Sequence, residues 1–170
     1  VLMTHESFEN IPVSKDLELN FLNEERRRLQ VAEGQMKSGN SSGMLVKNIA
    51  TKIKKLTEKI EKLASLEKDD VPTFDELGID LICADEAHKY KNLPINTVKT
   101  NVNGLSIEGS NIAFDMFMKT QYMHSTYGRG LIFASGSPLT NSVAELFSIS
   151  RFLQPKELIR RGLESFDIWA

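Results

Sequence analysis

Residues 79–84, Ile-Asp-Leu-Ile-Cys-Ala, form a short and largely apolar run that ends on two adjacent carboxylates, Asp85 and Glu86. His88 follows two positions later. A run of this length bounded by turn residues reads as a buried strand. Residues 131–134, Leu-Ile-Phe-Ala, repeat the plan: an apolar strand delivers Ser135-Gly136-Ser137 to its end. Residues 1–4, Val-Leu-Met-Thr, read as a third buried strand, with His5-Glu6-Ser7-Phe8 as the loop at its end. Strands alternating with helices predict an α/β domain built on a parallel sheet. Three strands are few for such a sheet. Ligands in these folds bind at the carboxyl ends of the strands, where Asp85 and Ser135 both fall.

The helices are read from spacing and caps. Ser14 can cap a helix over residues 15–37, whose apolar stripe (Leu19, Leu22, Leu29, Met36) is weak and interrupted by Arg26 and Glu33. Residues 38–43 carry two glycines and read as a turn. The next helix, residues 44–68, is better defined. Val46, Ile49, Ile53, Leu56, Ile60 and Leu63 alternate steps of three and four, the seam of a coiled coil. Two such helices joined by a short turn predict an antiparallel helical hairpin over residues 15–68, inserted between residues 1–14 and 69–170. Thr73 and Glu76 form a capping-box pattern for a one-turn helix that Gly78 closes. Residues 92–111 are polar and read as a mobile loop, followed by a helix over 112–127. Pro138, with Ser137 as cap, predicts a helix burying Leu139, Val143, Leu146, Phe147 and Phe152. Pro155 starts a last short one.

With 170 residues the chain can bury a sizeable core. A net charge of -2 is no global nucleic-acid signature, so any basic surface is local. The single cysteine, Cys83, excludes an internal disulfide and fits a reducing cytoplasm; inside the apolar run it reads as a packed thiol. No stretch approaches the ~20 apolar residues of a membrane span. The chain opens without methionine and stops where an apolar cluster begins, which reads as a piece of a longer protein.

The strand-end carboxylates suit nucleoside triphosphate chemistry. Magnesium takes oxygen ligands and keeps several waters, so one carboxylate, Asp85, can anchor its shell. The neighbour, Glu86, can orient or deprotonate an attacking water. His88 would lie by the γ-phosphate and reach the next strand end, where Ser135 and Ser137 offer hydroxyls. The competing reading is a surface acidic turn.

Asp85-Glu86-Ala87-His88 matches the Walker B motif of superfamily 2 helicases, and the chain resembles part of their first RecA-like domain, nearest the Swi/Snf-type branch. Lys91-Asn92 resembles the pair that this branch carries after its box. Ser135-Gly136-Ser137-Pro138-Leu139-Thr140-Asn141 is similar to its third motif, T-G-T-P-L-x-N, with serine for threonine twice; Glu145-Leu146 and Phe152-Leu153 fit the helix after it. Thr4-His5-Glu6-Ser7-Phe8 is similar to the T-x-x-x-F segment that contacts DNA in relatives. The inserted hairpin resembles that of large helicase-like proteins of phages, plasmids and conjugative elements. The resemblance implies a partial RecA-like fold, ATP and Mg²⁺ as cofactors of a parent protein, duplex DNA as partner, and a second RecA-like domain in the same parent chain. The phosphate-cradling G-x-x-x-x-G-K-[ST] does not occur in the 170 residues, so the piece alone is expected to hold no ATP tightly and to be inert.

Weaker signals stay open at this stage. The second hairpin helix carries Lys47, Lys52, Lys54, Lys55, Lys59 and Lys62, interleaved with Glu58, Glu61 and Glu67. Lys54, Lys55 and Lys59 are candidates for DNA contact; the alternatives are a solvated face or a protein-docking arm. Thr4 and His5 contact DNA or merely end a strand. His124 reads as a surface histidine, and Phe166 and Trp169 as core. The rival to a motor is a non-catalytic RecA-like scaffold.

Overall fold

A computed structural model describes all residues except 39–42, 67–70, 96, 98–108 and 141. The side chains of Gln35, Ser38, Met44 and Leu45 are likewise outside it. Asn141 of the 135–141 motif, most of the expected 92–111 loop and part of the hairpin turn therefore lie outside the described residues. The protein is mixed α/β and mostly helical, with one small parallel sheet of two strands. It divides into two compact units, Val1–Pro12 with Phe74–Ala170, and Val13–Thr73.

A short helix, α1 (His5–Glu9), belongs to the larger unit; the smaller unit holds α2 (Lys15–Ser38) and α3 (Gly43–Ser65). Ser14 caps α2 as its chemistry predicts: its hydroxyl accepts from the N–H of Leu17 at 3.2 Å. Lys15 Nζ donates to the carbonyls of Ala64 (2.8 Å) and Leu66 (2.5 Å), and Lys59 pairs with Glu18 at 3.1 Å. Those bonds set the start of α2 against the end of α3. Leu22, Leu29 and Ile60 are the apolar residues buried here; the other seam residues of α3 are half-buried, as expected when two helices share one seam.

The larger unit is built around α4 (Asn111–Thr126). Ser110 caps it, accepting from the N–H of Ala113 at 3.3 Å. Strands β1 (Ile82–Ala84) and β2 (Leu131–Phe133) are parallel neighbours, paired Ile82 with Leu131, Cys83 with Ile132 and Ala84 with Phe133. The approach to the sheet is close at Gly130. Its φ is +115°, and a Cβ there would lie 2.3 Å from the Asp80 carbonyl oxygen, so only glycine fits. Phe152 is fully buried between Phe117, edge-on at 5.4 Å, and Phe133, tilted at 5.4 Å. Helices α5 (Ala144–Leu153), α6 (Pro155–Arg160) and α7 (Phe166–Trp169) complete the unit. Pro155 opens α6 as expected, and Phe166 and Trp169 pack with Ile95, Ala144 and Phe147.

Several expectations are corrected. Residues 1–4 form no strand: Val1 and Leu2 are exposed, and Thr4 instead caps α1, accepting from the N–H of Ser7 at 3.1 Å. The local cap satisfies backbone groups that a strand could satisfy only with a neighbour. Cys83 is exposed, because β1 alternates inward Ile82 and Ala84 with outward Cys83. Residues 73–78 make a turn rather than a helix, with the Leu77 N–H on the Phe74 carbonyl at 3.3 Å. Leu93 and Ile95, read as loop, are core. The helix expected from Pro138 starts at Ala144, leaving Leu139 and Val143 exposed. His124 is not a bare surface group; its Nε2 lies 2.6 Å from the Phe152 carbonyl and ties α4 to the end of α5. Among the described residues, no helix is long and apolar enough to cross a membrane.

Candidate functional site at two strand ends

The two strands leave the sheet side by side. Beyond the last paired residues, Ala134 donates to the Ala84 carbonyl and Ala87 donates to the Ala134 carbonyl, both at 2.9 Å. The backbones of the two segments are thus stitched together past the strands. Asp85 is exposed and its Oδ1 accepts from the Glu86 N–H at 2.8 Å. Glu86 is the single non-glycine residue at positive φ among the described residues, with φ 50° and ψ 41°. A left-handed conformation costs a residue with a Cβ about 1–2 kcal/mol, so the second carboxylate sits on a sharp corner. The corner opens a 3₁₀ helix, Ala87–Tyr90.

The helix brings His88 back over the corner. Its Nδ1 lies 3.1 Å from Glu86 Oε2 and 3.4 Å from Ser135 Oγ. The histidine ring thus stands within ion-pairing distance of the carboxylate, and the serine contact is at the outer limit for a hydrogen bond. Ser135 Oγ also accepts from the Ser137 N–H at 3.2 Å, which folds Ser135-Gly136-Ser137 into a tight turn. Asp85, Glu86, His88, Ser135, Gly136 and Ser137 are therefore gathered at one end of the sheet.

A further pair lies behind them. Lys91 Nζ meets Glu145 Oε1 at 3.2 Å, with side chains only 10% and 2% exposed. Lys91 also donates to the Thr140 hydroxyl, and Glu145 Oε2 accepts from the Thr140 N–H at 2.8 Å. These side-chain bonds to residues 135–140 explain why α5 starts late: Thr140 is held by a carboxylate rather than by a helical carbonyl. Lys91 and Glu145 both stand in the motif matches, and nothing in their spacing predicts that they meet.

The other candidates sit elsewhere. Thr4 is used as a helix cap. His5 Nδ1 is 2.6 Å from the hydroxyl of buried Tyr90, the last residue of the 3₁₀ helix, so His5 is joined to the segment that carries His88. Burial, then the nearby Asp115 and Glu9, push the Tyr90 phenol up to about 12. Lys119, also missed, is fully buried; its ammonium donates to Asp115 at 2.6 Å and to the Phe8 carbonyl at 2.8 Å, and lies 4.5 Å from the centre of the Phe8 ring. Burial lowers its pKa and Asp115 opposes the change. Asp115 and Lys119 stand four apart, a pairing readable from the sequence. Lys54, Lys55 and Lys59 belong to the helical-pair unit and are exposed; Lys54 lies 3.9 Å from Glu58.

For a metal, no group of three or more His, Cys, Asp or Glu side chains among the described residues offers a ligand set. The exposed Asp85 carboxylate fits a cation that keeps its own waters, as Mg²⁺ does, and does not fit a closed structural site.

The family model described as "Probable helicase domain" matches residues 1–170. The chain belongs to this probable helicase domain family. A curated relative, Defense against restriction protein B of Escherichia phage P1, is 29% identical over 113 residues, covering 59% of the chain. The match spans 4% of that phage protein's length. No solved structure matches significantly.

Proposed function

We propose that this chain is the central piece of an ATP-driven helicase or translocase acting on duplex DNA. In this reading it is a partial RecA-like domain, residues 1–14 and 69–170, interrupted by an antiparallel helical hairpin over 15–68. One observation carries the proposal. The acidic box and the serine turn leave adjacent parallel strands at the same end, with His88 between Glu86 and Ser135. The family match supports it. So does the division into units at Pro12 and Phe74, close to the proposed insertion limits. The phage relative, named for defence against restriction, suits a DNA-acting parent.

Asp85 would hold Mg²⁺ through water, and the bound cation would neutralise charge on the phosphates. Glu86 orients and deprotonates the attacking water; its strained corner places its carboxylate beside His88. Ser135 and Ser137 report the state of that corner to the following loop. The phosphate cradle and a second RecA-like domain come from the rest of the longer protein, which works in the cytoplasm, where the exposed Cys83 stays reduced. Thr4 and His5 are candidate DNA contacts of this domain, and Lys54, Lys55 and Lys59 of the hairpin.

The test is ATP turnover by the full-length protein with duplex DNA. Glu86→Gln should lower it by about 10²–10⁴-fold, the usual worth of a positioned general base. The isolated 170 residues should show none. A second reading has its own observation: no G-x-x-x-x-G-K-[ST] occurs in the chain. If full-length protein hydrolyses no nucleotide, a non-catalytic scaffold whose hairpin docks DNA or a protein replaces the motor. Charge reversal at Lys54, Lys55 and Lys59 then separates those partners, since only DNA binding loses affinity and salt dependence together.

A further inference from the structure

The two site loops are joined in two places, and the joints differ in kind. His88 to Ser135 is long, 3.4 Å, and between partly exposed groups. Lys91 to Glu145 is a buried ion pair at 3.2 Å. Lys91 immediately follows the 3₁₀ helix that carries His88, so it is tied to the acidic box along the chain. Glu145 is the second residue of α5 and holds the Thr140 N–H at 2.8 Å, while Lys91 takes the Thr140 hydroxyl. Three groups from two segments therefore meet, the carboxylate and the ammonium largely shielded and Thr140 exposed at their edge.

Burying two charges is an inefficient way to gain stability, because desolvation cancels most of their attraction. What such a pair does well is fix one geometry, since charge-assisted bonds are short and directional. Thr140 lies in the stretch that the sequence would let enter a helix from Pro138. With its N–H on Glu145, that stretch is kept as a loop, and with its hydroxyl on Lys91 the loop is registered against the acidic box.

We propose that Lys91 and Glu145 are positioning residues: their ion pair, through Thr140, sets the 135–140 loop against the Asp85–His88 corner and transmits shifts between them. The inference rests on the motor reading for its kinetic part only. Its test uses Lys91→Met, Glu145→Gln and the double variant in the full-length protein, with ATP turnover and amide hydrogen exchange as readouts.

In folded Lys91→Met, kcat should fall about ten- to a hundredfold, as expected when catalytic groups are misplaced by about an ångström. KM for ATP should stay within about twofold, because the pair touches no phosphate site. Exchange at the Thr140 amide should quicken while Ile82 and Ala134 remain protected. The double variant should be no worse than Lys91→Met, since both changes break one link. Unchanged kcat and unchanged Thr140 exchange in a folded variant would overturn the proposal, as would losses that multiply in the double variant. Should Lys91→Met fail to fold, Glu145→Gln, which keeps volume and shape, decides on the same criteria. Should the wild type turn over no ATP, the motor reading fails, and Thr140 exchange alone decides whether the pair sets the loop.

Discussion

In the helical-pair unit, order comes from repetition. One seam of residues spaced three and four apart runs along α3, and Leu22, Leu29 and Ile60 are buried in it. Its charged groups are mostly exposed, and several pair with near neighbours, as Lys54 does with Glu58 and Lys37 with Glu33, while Lys59–Glu18 and the Lys15 bonds cross between the helices. In the strand-bearing unit, order comes from single bonds between residues far apart in the chain: Lys119 to Phe8, Tyr90 to His5, Lys91 to Glu145, His124 to Phe152. The first kind of order tolerates substitution at most positions, since each seam residue carries a similar share. The second concentrates in few groups, and several of those adjoin the candidate site. Surface charge pairs of the first kind contribute about 0–1 kcal/mol each. Removing one partner of a buried pair costs about 3–5 kcal/mol.

That contrast can be broken or sharpened by measurement. The largest effect expected is from Phe152→Ala, which empties the centre of the aromatic core and should cost about 3–5 kcal/mol; Leu22→Ala, which removes a smaller side chain, should cost about 2. Trp169, the one tryptophan, packs on Phe147 and reports on the strand-bearing unit. Its fluorescence transition in urea should move with Phe152→Ala and hold still with Leu22→Ala, whose loss should show in far-ultraviolet helicity. Equal displacement of the tryptophan transition by both would erase the distinction between the units.

Next in size is Lys119→Met. It removes a fully buried cation from Asp115 and from the Phe8 carbonyl, and should cost about 3 kcal/mol in chemical denaturation. Adding Asp115→Asn should recover most of that loss. A Lys119→Met protein as stable as the wild type would show that the buried bonds are no more demanding than the seam.

The smallest effect is an alkaline one. The Tyr90 phenol is raised from 10.0 to about 12 in the folded chain, chiefly by burial. A raised value means that the stability tied to the protonated phenol is complete below pH 10 and is lost as pH climbs through about 12. Wild-type stability should therefore fall more steeply than that of Tyr90→Phe across this window. Parallel curves would argue that the hydroxyl facing His5 is not held protonated by its surroundings.

Legibility divided along the same line. The stripe of α3, the Ser14 cap and the proline start of α6 could be read directly, because each depends on neighbours within a turn or two. The site was half legible. An apolar run ending in Asp85-Glu86 and another ending in Ser135 predicted adjacent strand ends, and β1 and β2 are indeed parallel partners. The Glu86 corner, the approach of His88 to Ser135, and the late start of α5 could not be read, since they depend on how segments apart in the chain come together. Residues 1–4 failed for a related reason. Their composition suits a strand, but a strand needs a partner, and Thr4 found a nearer bond in capping α1.

By itself, then, the sequence determined the longer helices, the two paired strands and which chemical groups stand at their ends, because hydrophobic period and cap chemistry act over a few residues. Only the tertiary structure decided which of those groups meet. Lys91 and Glu145 are ordinary surface residue types until folding removes both from water, and once they are dry their charges leave the two loops one favourable way to fit together.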